Sequence, residues 1–406
     1  MSSSELRAVA PDNGAYMQTF MEDVFRAFQR PEQRRWAQAY LWALINVSGR
    51  KTPRRMAQAK PLPSAAAHGL HQFINGSPWD WVPVRRRLTQ YVAENTTPNA
   101  WTVAELIIPK RGEHSVGVHQ RTDPMTGRRL NCQRALIFFL VSGTQCYPVE
   151  WSLMLGGPWV SDRERKRRAR IPGSEAGRTP GDHVVRYAAE AAVQPHLPRL
   201  PWVLDLTHCD DAAGVLAGLA RLRADVVCEV HPSQLVLTGQ QSPALTTVGA
   251  LMEARHARQT HVLLRQHPGG RVHPVPVHAS VGTVGPPRPG NGDDGSRPYR
   301  ILERPDPDGR QPPRYWLTTD HRVEEALRLA RSHTAALSTV ATLRQHFGVL
   351  DFEGRSFPGW HHHMTMASAA YISQRLVGPP SSSPASPGAP FRAWAPPPVA
   401  LIGATN

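Results

Sequence analysis

The chain has 406 residues, enough for two or three domains; its 40% apolar and 19% charged side chains describe a globular protein and exclude a disordered one. No stretch approaches the roughly 18 consecutive apolar residues of a membrane helix, and no basic-then-apolar leader is present, so a soluble, cytoplasmic, nucleoid-associated protein is expected. A formal net charge of +15 points to a polyanionic partner, with no membrane and no small-molecule substrate expected.

The charge is uneven: residues 1–200 carry a net +12 and residues 201–406 only +3. Lysine occurs only at 51, 60, 110 and 166, so nearly all the basic side chains are arginine. Arginine suits bidentate phosphate contacts, although a GC-rich genome produces the same skew. The four cysteines (Cys132, Cys146, Cys209, Cys228) form no CxxC pair and no metal spacing, which reads as buried thiols in a reducing compartment.

In chain order, Phe20, Val24, Phe25 and Phe28 recur at helical spacing, and Pro31 opens a second helix to about residue 47. Trp36, Tyr40, Leu41, Leu44 and Ile45 form its apolar face, and Ser48-Gly49 ends it. A further helix spans 64–75. Ser77-Pro78 supplies an N-cap and first-turn pair for another, with Trp81, Val84, Leu88 and Val92 facing inward. Residues 1–98 are thus expected to form an all-helical domain. It carries three basic clusters: Arg34-Arg35, Arg50-Lys51 with Arg54-Arg55, and Arg85-Arg86-Arg87. A charged run is commonly just a solvated face, but three in one small helical domain point to DNA binding.

From residue 101 the pattern turns to strands, at 101–108, 115–118, 132–142 and 145–154. A helix at 182–193 leads to a strand at 202–206, a helix at 210–223 capped by Asp210, and a strand at 225–230. This alternation defines an α/β domain with a mixed sheet. Within the first strand Glu105 sits in an apolar run, where a buried acid is costly unless it binds something. The segment 161–170 holds six basic residues in ten and reads as an exposed loop or helix end able to contact phosphate. Residues 231–320 are strand-like and broken by proline and glycine, with a loop at 284–299. A long helix follows at 322–347, and the Pro/Ser-rich tail 378–406 is expected to be disordered.

Several of these stretches together resemble the insertion-sequence branch of the DDE transposases, the DDE superfamily endonucleases. They are GRKTPRRMAQ (49–58), LHQFINGSPWD (70–80), PKRGEHSVGV (109–118), NCQ (131–133), the Trp159 region and RTP (178–180). PRYWLTTD (313–320), EEALRLAR (324–331) and DFEGRSFPGWHHH (351–363) continue the series in order. The resemblance implies an RNase H-like core in two parts, 99–230 and 321–377. A helical DNA-binding domain (1–98) would precede it, and a β-rich insertion (231–320) would divide it.

Enzymes of this family cut and join DNA with two divalent ions held by three carboxylates. By the resemblance, the family's Asp-Asp-Thr-Gly pattern falls on Ala104-Glu105-Leu106-Ile107, and the first catalytic position on Glu105. The second falls on Asp205, for which a purely structural role is equally open. The third, on the late helix, falls on Leu337, which cannot ligate a metal. The lysine that follows it becomes Arg344. The implied site is a remnant with Glu105 and Asp205 as its only metal-capable members. No cofactor is expected to be required, with Mg²⁺ or Mn²⁺ serving any residual activity.

The expected partner is double-stranded DNA, with a homodimer left open. The residues expected to meet it are Arg34, Arg35, Lys51, Arg54, Arg55, Arg85, Arg86, Arg87, Lys110, Arg111, His114, Arg344 and Arg355. Three functions compete: a catalytically dead DNA-binding regulator or competitor, an active transposase or endonuclease, and an unselected relic. His361-His362-His363 is read as a helix start and not as a zinc site, since consecutive residues do not face one ion.

Overall fold

The computed structural model describes residues 13–377 apart from 60–61, 63–65, 123–126, 128, 176, 198, 239–243, 255–258, 267–271, 285–297, 307–308 and 321. Most of the expected 284–299 loop and the whole 378–406 tail lie outside the described residues.

Five helices precede the first strand: α1 (Asn13–Phe25), α2 (Pro31–Asn46), α3 (Pro53–Met56), α4 (Ala66–Asn75) and α5 (Trp81–Asn95). Pro31 stands at the start of α2, where a missing N–H costs nothing. The start of α5 differs from the expectation. Asp80, not Ser77, is its N-cap, its carboxylate accepting from Val82 N at 2.9 Å. Ser77 instead accepts from Gln33 of α2.

The strands form one mixed sheet. β1 (Ala100–Pro109) runs antiparallel to β3 (Arg129–Ser142) and parallel to β5 (Trp202–Asp205), and β5 is parallel to β6 (Val226–Val230). On its far side β3 pairs with β2 (His119–Thr122) at one end and β4 (Gln145–Leu153) at the other. The expected strand at 115–118 is a turn, and the strand begins at His119.

α6 (Pro158–Ser161), α7 (Arg163–Arg168), α8 (Pro180–Ala192) and α9 (Ala212–Arg221) fill the connections between β4, β5 and β6. The cap of α9 is Asp211, one residue beyond the expected Asp210, its carboxylate accepting from Gly214 N.

The strands of the 231–320 region continue the same sheet. β7 (Leu235–Thr238), β8 (Ala244–Thr247), α10 (Val248–Glu253), β9 (Gln259–Gln266), β10 (Val272–Thr283) and β11 (Pro298–Arg304) lead to β12 (Arg314–Thr318). β12 pairs antiparallel with β6, so the sheet edge is prolonged and the long helix α11 (Val323–His346) returns beside the older strands.

α12 (Phe357–Leu376) closes the structure. It is buried around its whole circumference through Ser373, as a helix without a polar face must be. It packs against α2, α4, α5 and β4, so the early helices and the sheet share one apolar core. Each fully buried large side chain there, such as Trp360 or Tyr371, contributes about 1.5–3 kcal/mol.

Candidate carboxylate site and nucleic-acid interface

The pleat of β1 decides which residues can act together. Register partners on neighbouring strands point to the same face, and successive residues alternate. Trp101 pairs with Trp202, and their rings stack at 5.7 Å against Tyr187 of α8. Val103 and Glu105 share that face, so the Glu105 carboxylate lies on the α8 side. Thr102 pairs with Val203, and Asp205, two residues further, lies on the opposite side. That side belongs to α11: Cys146 there reaches Ser332 O, and His333 Nε2 stands 3.7 Å from Asp205 Oδ2. Glu105 and Asp205 are therefore not brought together. The β1 residue level with Asp205 on that face, two beyond Thr102, is Ala104, which is buried.

Glu105 is also not a buried acid. Its side chain is 35% exposed, hydrogen-bonded by Arg134 Nε and 3.8 Å from Arg121 Nη1. Arg134 belongs to β3, beside β1, and Arg121 to β2, one strand further out; both neutralise it from the same face.

Asp205 is held locally, with Oδ1 accepting from Thr207 N at 3.0 Å and Thr207 Oγ1 at 2.6 Å. Glu229 on β6 shares its face but is occupied by Arg314, whose guanidinium is raised above its ordinary value chiefly by that hydrogen bond. Leu337 lies one turn beyond His333 on α11 and is 48% exposed. An exposed leucine adds nothing to the packing, and it provides no ligand. Among the described residues no group of three or more His, Cys, Asp or Glu could hold a metal. Two ions bridged by three carboxylates do not fit a face whose acids are Asp205 and an arginine-bound Glu229.

The thirteen basic residues expected at DNA separate into two sets. Arg85 is 1% exposed and fully engaged: it pairs with Glu150 and donates to Trp151 O, His361 O and Thr365 Oγ1. Its expected DNA contact is corrected to a structural one. Arg87 is bound by Asp23 and Glu94. Lys51 is buried, with Nζ on Val47 O, and burial brings its pKa down to about 8. Lys110 Nζ donates to Phe352 O at 2.6 Å, and burial lowers it likewise to about 8. These side chains hold the frame.

The exposed set is Arg54, Arg55, Arg86, Arg111, His114, Arg344 and Arg355; Arg34 and Arg35 are half-buried on α2. Three loops converge where several of these stand. Arg50 reaches Asp351 and Glu353, Lys51 N donates to Asp351 at 2.8 Å, and Lys110 spans from the β1–β2 turn to Phe352. The GRKTPRR, PKRG and DFEGR stretches thus form one surface. The basic run at 161–170 is a short helix, α7, capped by Asp162. There Glu164 binds Arg167 and Arg168, and Arg170 is tied to Asn75 O and Ser356.

The three consecutive histidines each face a different partner. His361 Nδ1 lies 3.1 Å from Arg85 Nη2, His362 sits between Ile74 O and Trp79 O, and His363 joins Tyr40 to Gly348 O. Burial pushes His362 and His363 down to about 4. They anchor α12 to the early helices, a role that their spacing in the sequence does not reveal.

The order β4-β3-β1-β5-β6, with a helix against the Asp205 face, is a mixed α/β arrangement consistent with an RNase H-like frame. Residues 23–260 match the family model described as DDE superfamily endonuclease, and the chain belongs to that family. The match takes in β1 and Asp205 and ends before α11. No curated protein matches the chain. Among the described residues no helix is long and apolar enough to cross a membrane.

Proposed function

We propose that this protein is a DNA-binding member of the DDE superfamily that has lost two-metal strand transfer and acts as a regulator or competitor of active relatives. The reading rests on one observation above others: beside Asp205 and His333 the next turn of α11 offers an exposed Leu337, and the β1 residue level with Asp205 on that face is Ala104. A DNA-joining site needs acids at such positions. The family supplies the partner class, and Arg54, Arg55, Arg111 and Arg355 are free to meet a phosphate backbone.

Gel-shift titration on duplex DNA tests binding. Affinity is expected to fall steeply with salt, and replacing Arg54, Arg55 and Arg111 with glutamine should flatten the slope by about one unit per arginine replaced. Arg87→Gln should leave the slope unchanged. Absence of binding at about 50 mM salt would overturn the DNA-binding reading. Mg²⁺-dependent cleavage abolished by Asp205→Ala would overturn the loss of chemistry.

A further inference from the structure

The six cationic side chains of the 161–170 run divide between two tasks. Three hold α7 in place. The Arg165 guanidinium lies over the Trp159 ring at 5.1 Å, Lys166 Nζ donates to Glu175 O at 2.9 Å, and Arg170 donates to Asn75 O and Ser356 Oγ. The other three face solvent. Arg167 and Arg168 are 77% and 71% exposed and share the single carboxylate of Glu164. Arg163, also exposed, has no acidic partner among the described residues. The remaining acid of the run, Asp162, is engaged in capping the helix at Arg165 N.

The end of α7 shows that its position is imposed by its surroundings. Ile171 N donates to Lys166 O and Arg170 N to Arg167 O, the pair of bonds that closes a helix through a left-handed residue. Glycine usually takes that position, yet here it is Arg170, at φ 55°. What the arginine adds is its side chain. It reaches Ser356 Oγ at 2.7 Å, the hydroxyl that also caps α12 by accepting from Gly359 N. Beside it Phe357 N donates to Ala169 O at 2.7 Å.

These bonds set α7 against both loops of the basic surface. Ser356 directly follows the exposed Arg355, and Phe352, four residues earlier, accepts from Lys110. A second tie runs to the end of PKRGEHSVGV, where Trp159 Nε1, beneath Arg165, donates to Val118 O at 2.7 Å. Four residues of chain span at most about 14 Å, and the major groove of DNA is about 12 Å wide. Arginines on both sides of the 352–356 stretch can therefore meet phosphates of one duplex.

We infer that α7 is a second contact with the DNA backbone, in which Arg163, Arg167 and Arg168 meet phosphates across a groove from those met by Arg54, Arg55 and Arg111. The inference rests on the DNA-binding reading and adds to it the extent of the interface. α7 exposes no apolar side chain, which the core of a protein interface needs and a phosphate backbone does not. Glu164 is the restraint on this contact, since it holds Arg167 and Arg168 where phosphate would take its place.

The test is gel-shift titration of the full chain on duplex DNA over a salt series. Replacing Arg163, Arg167 and Arg168 together with glutamine should flatten the slope of log affinity against log salt by about two to three units. The control removes the same charge from Arg199, Arg221 and Arg223, which are exposed ahead of β5 and β6, at the opposite end of the parallel strands from the PKRG turn. It should change the slope by about one unit or less. Glu164→Gln should act in the other direction, tightening binding at low salt about two- to fivefold. Thermal melts check the fold; if the triple variant does not fold, Glu164→Gln carries the test. An unaltered chain that binds no DNA would sink the DNA-binding reading and this inference together. If the unaltered chain binds, the inference alone fails when the α7 triple keeps the full slope or the control loses as much. It fails equally if Glu164→Gln binds no tighter than the unaltered chain.

Discussion

Along α12, each of His361, His362 and His363 meets partners from distant parts of the chain. Along α11, His333 meets Asp205 at 3.7 Å and Leu337 meets solvent. Both helices lie against the same core. In one, polar side chains are spent on joining the early helices to the sheet. In the other, the turn that faces Asp205 carries no acid. Arginine divides in the same way, since Arg85 is sealed inside while Arg86 beside it is exposed. The polar contacts that hold the frame are in place, while among the described residues no group of three metal-ligating side chains gathers beside Asp205.

Disturbing the α12 seam should have the largest effect. Arg85→Ala strips Glu150 of its partner and removes donors from Trp151 O and His361 O, with an expected loss of about 3–5 kcal/mol in urea unfolding. A loss under about 1 kcal/mol would show that the seam does not depend on this guanidinium.

Acid should loosen the same seam. His362 and His363 are brought to about 4 in the folded chain, chiefly by burial, against an ordinary value of 6.5. Between those values the unfolded chain binds more protons, so stability falls as pH falls, by about 1.4 kcal/mol per pH unit for each linked histidine. Below about 4 both states are protonated and the dependence levels off. Urea midpoints measured across this window should show the slope, and His363→Gln should reduce it.

The α11 edge should respond to restored acids only in the right phase of the pleat. Ala104→Asp with Leu337→Glu puts new carboxylates beside Asp205, and Mg²⁺ at ten times its dissociation constant would then add about 1.4 kcal/mol of stability, read as a higher melting temperature. Glu105→Asp with Leu337→Glu should show no such response. Equal responses would mean that the face assignment of β1 is wrong. The smallest effect belongs to Leu337→Ser alone, within about 0.5 kcal/mol, because that side chain is already exposed.

The order of elements was legible in the sequence, because helical and strand periodicities persist over long stretches. Phe20, Val24, Phe25 and Phe28 are all buried, as their spacing implies. Arg85 was expected at DNA and is buried instead; the signal for that was its place four residues after Trp81 and three before Leu88, on the apolar face of α5. The phase of β1 was not legible. Trp101, Thr102, Val103 and Ala104 are all buried, so the first half of the strand is covered on both faces and has no alternation to read. Nor could the sequence show that Glu105 would meet Arg134, since that pairing depends on the β1–β3 register. The caps at Asp80 and Asp211 were misplaced because several cap-type residues stand side by side, and packing selects among them.

The burial of α12 sets a schedule for making the protein. Tyr40 and His363 are 323 residues apart in the chain, and at about 5–20 residues per second that interval is on the order of 15–60 seconds of synthesis. Through that time the faces of α2, α4 and α5 that α12 covers stay wet, so the first helices formed are among the last to be sheltered. A fragment ending near residue 98 would remain in that state permanently: a set of helices offering apolar surface to whatever it meets.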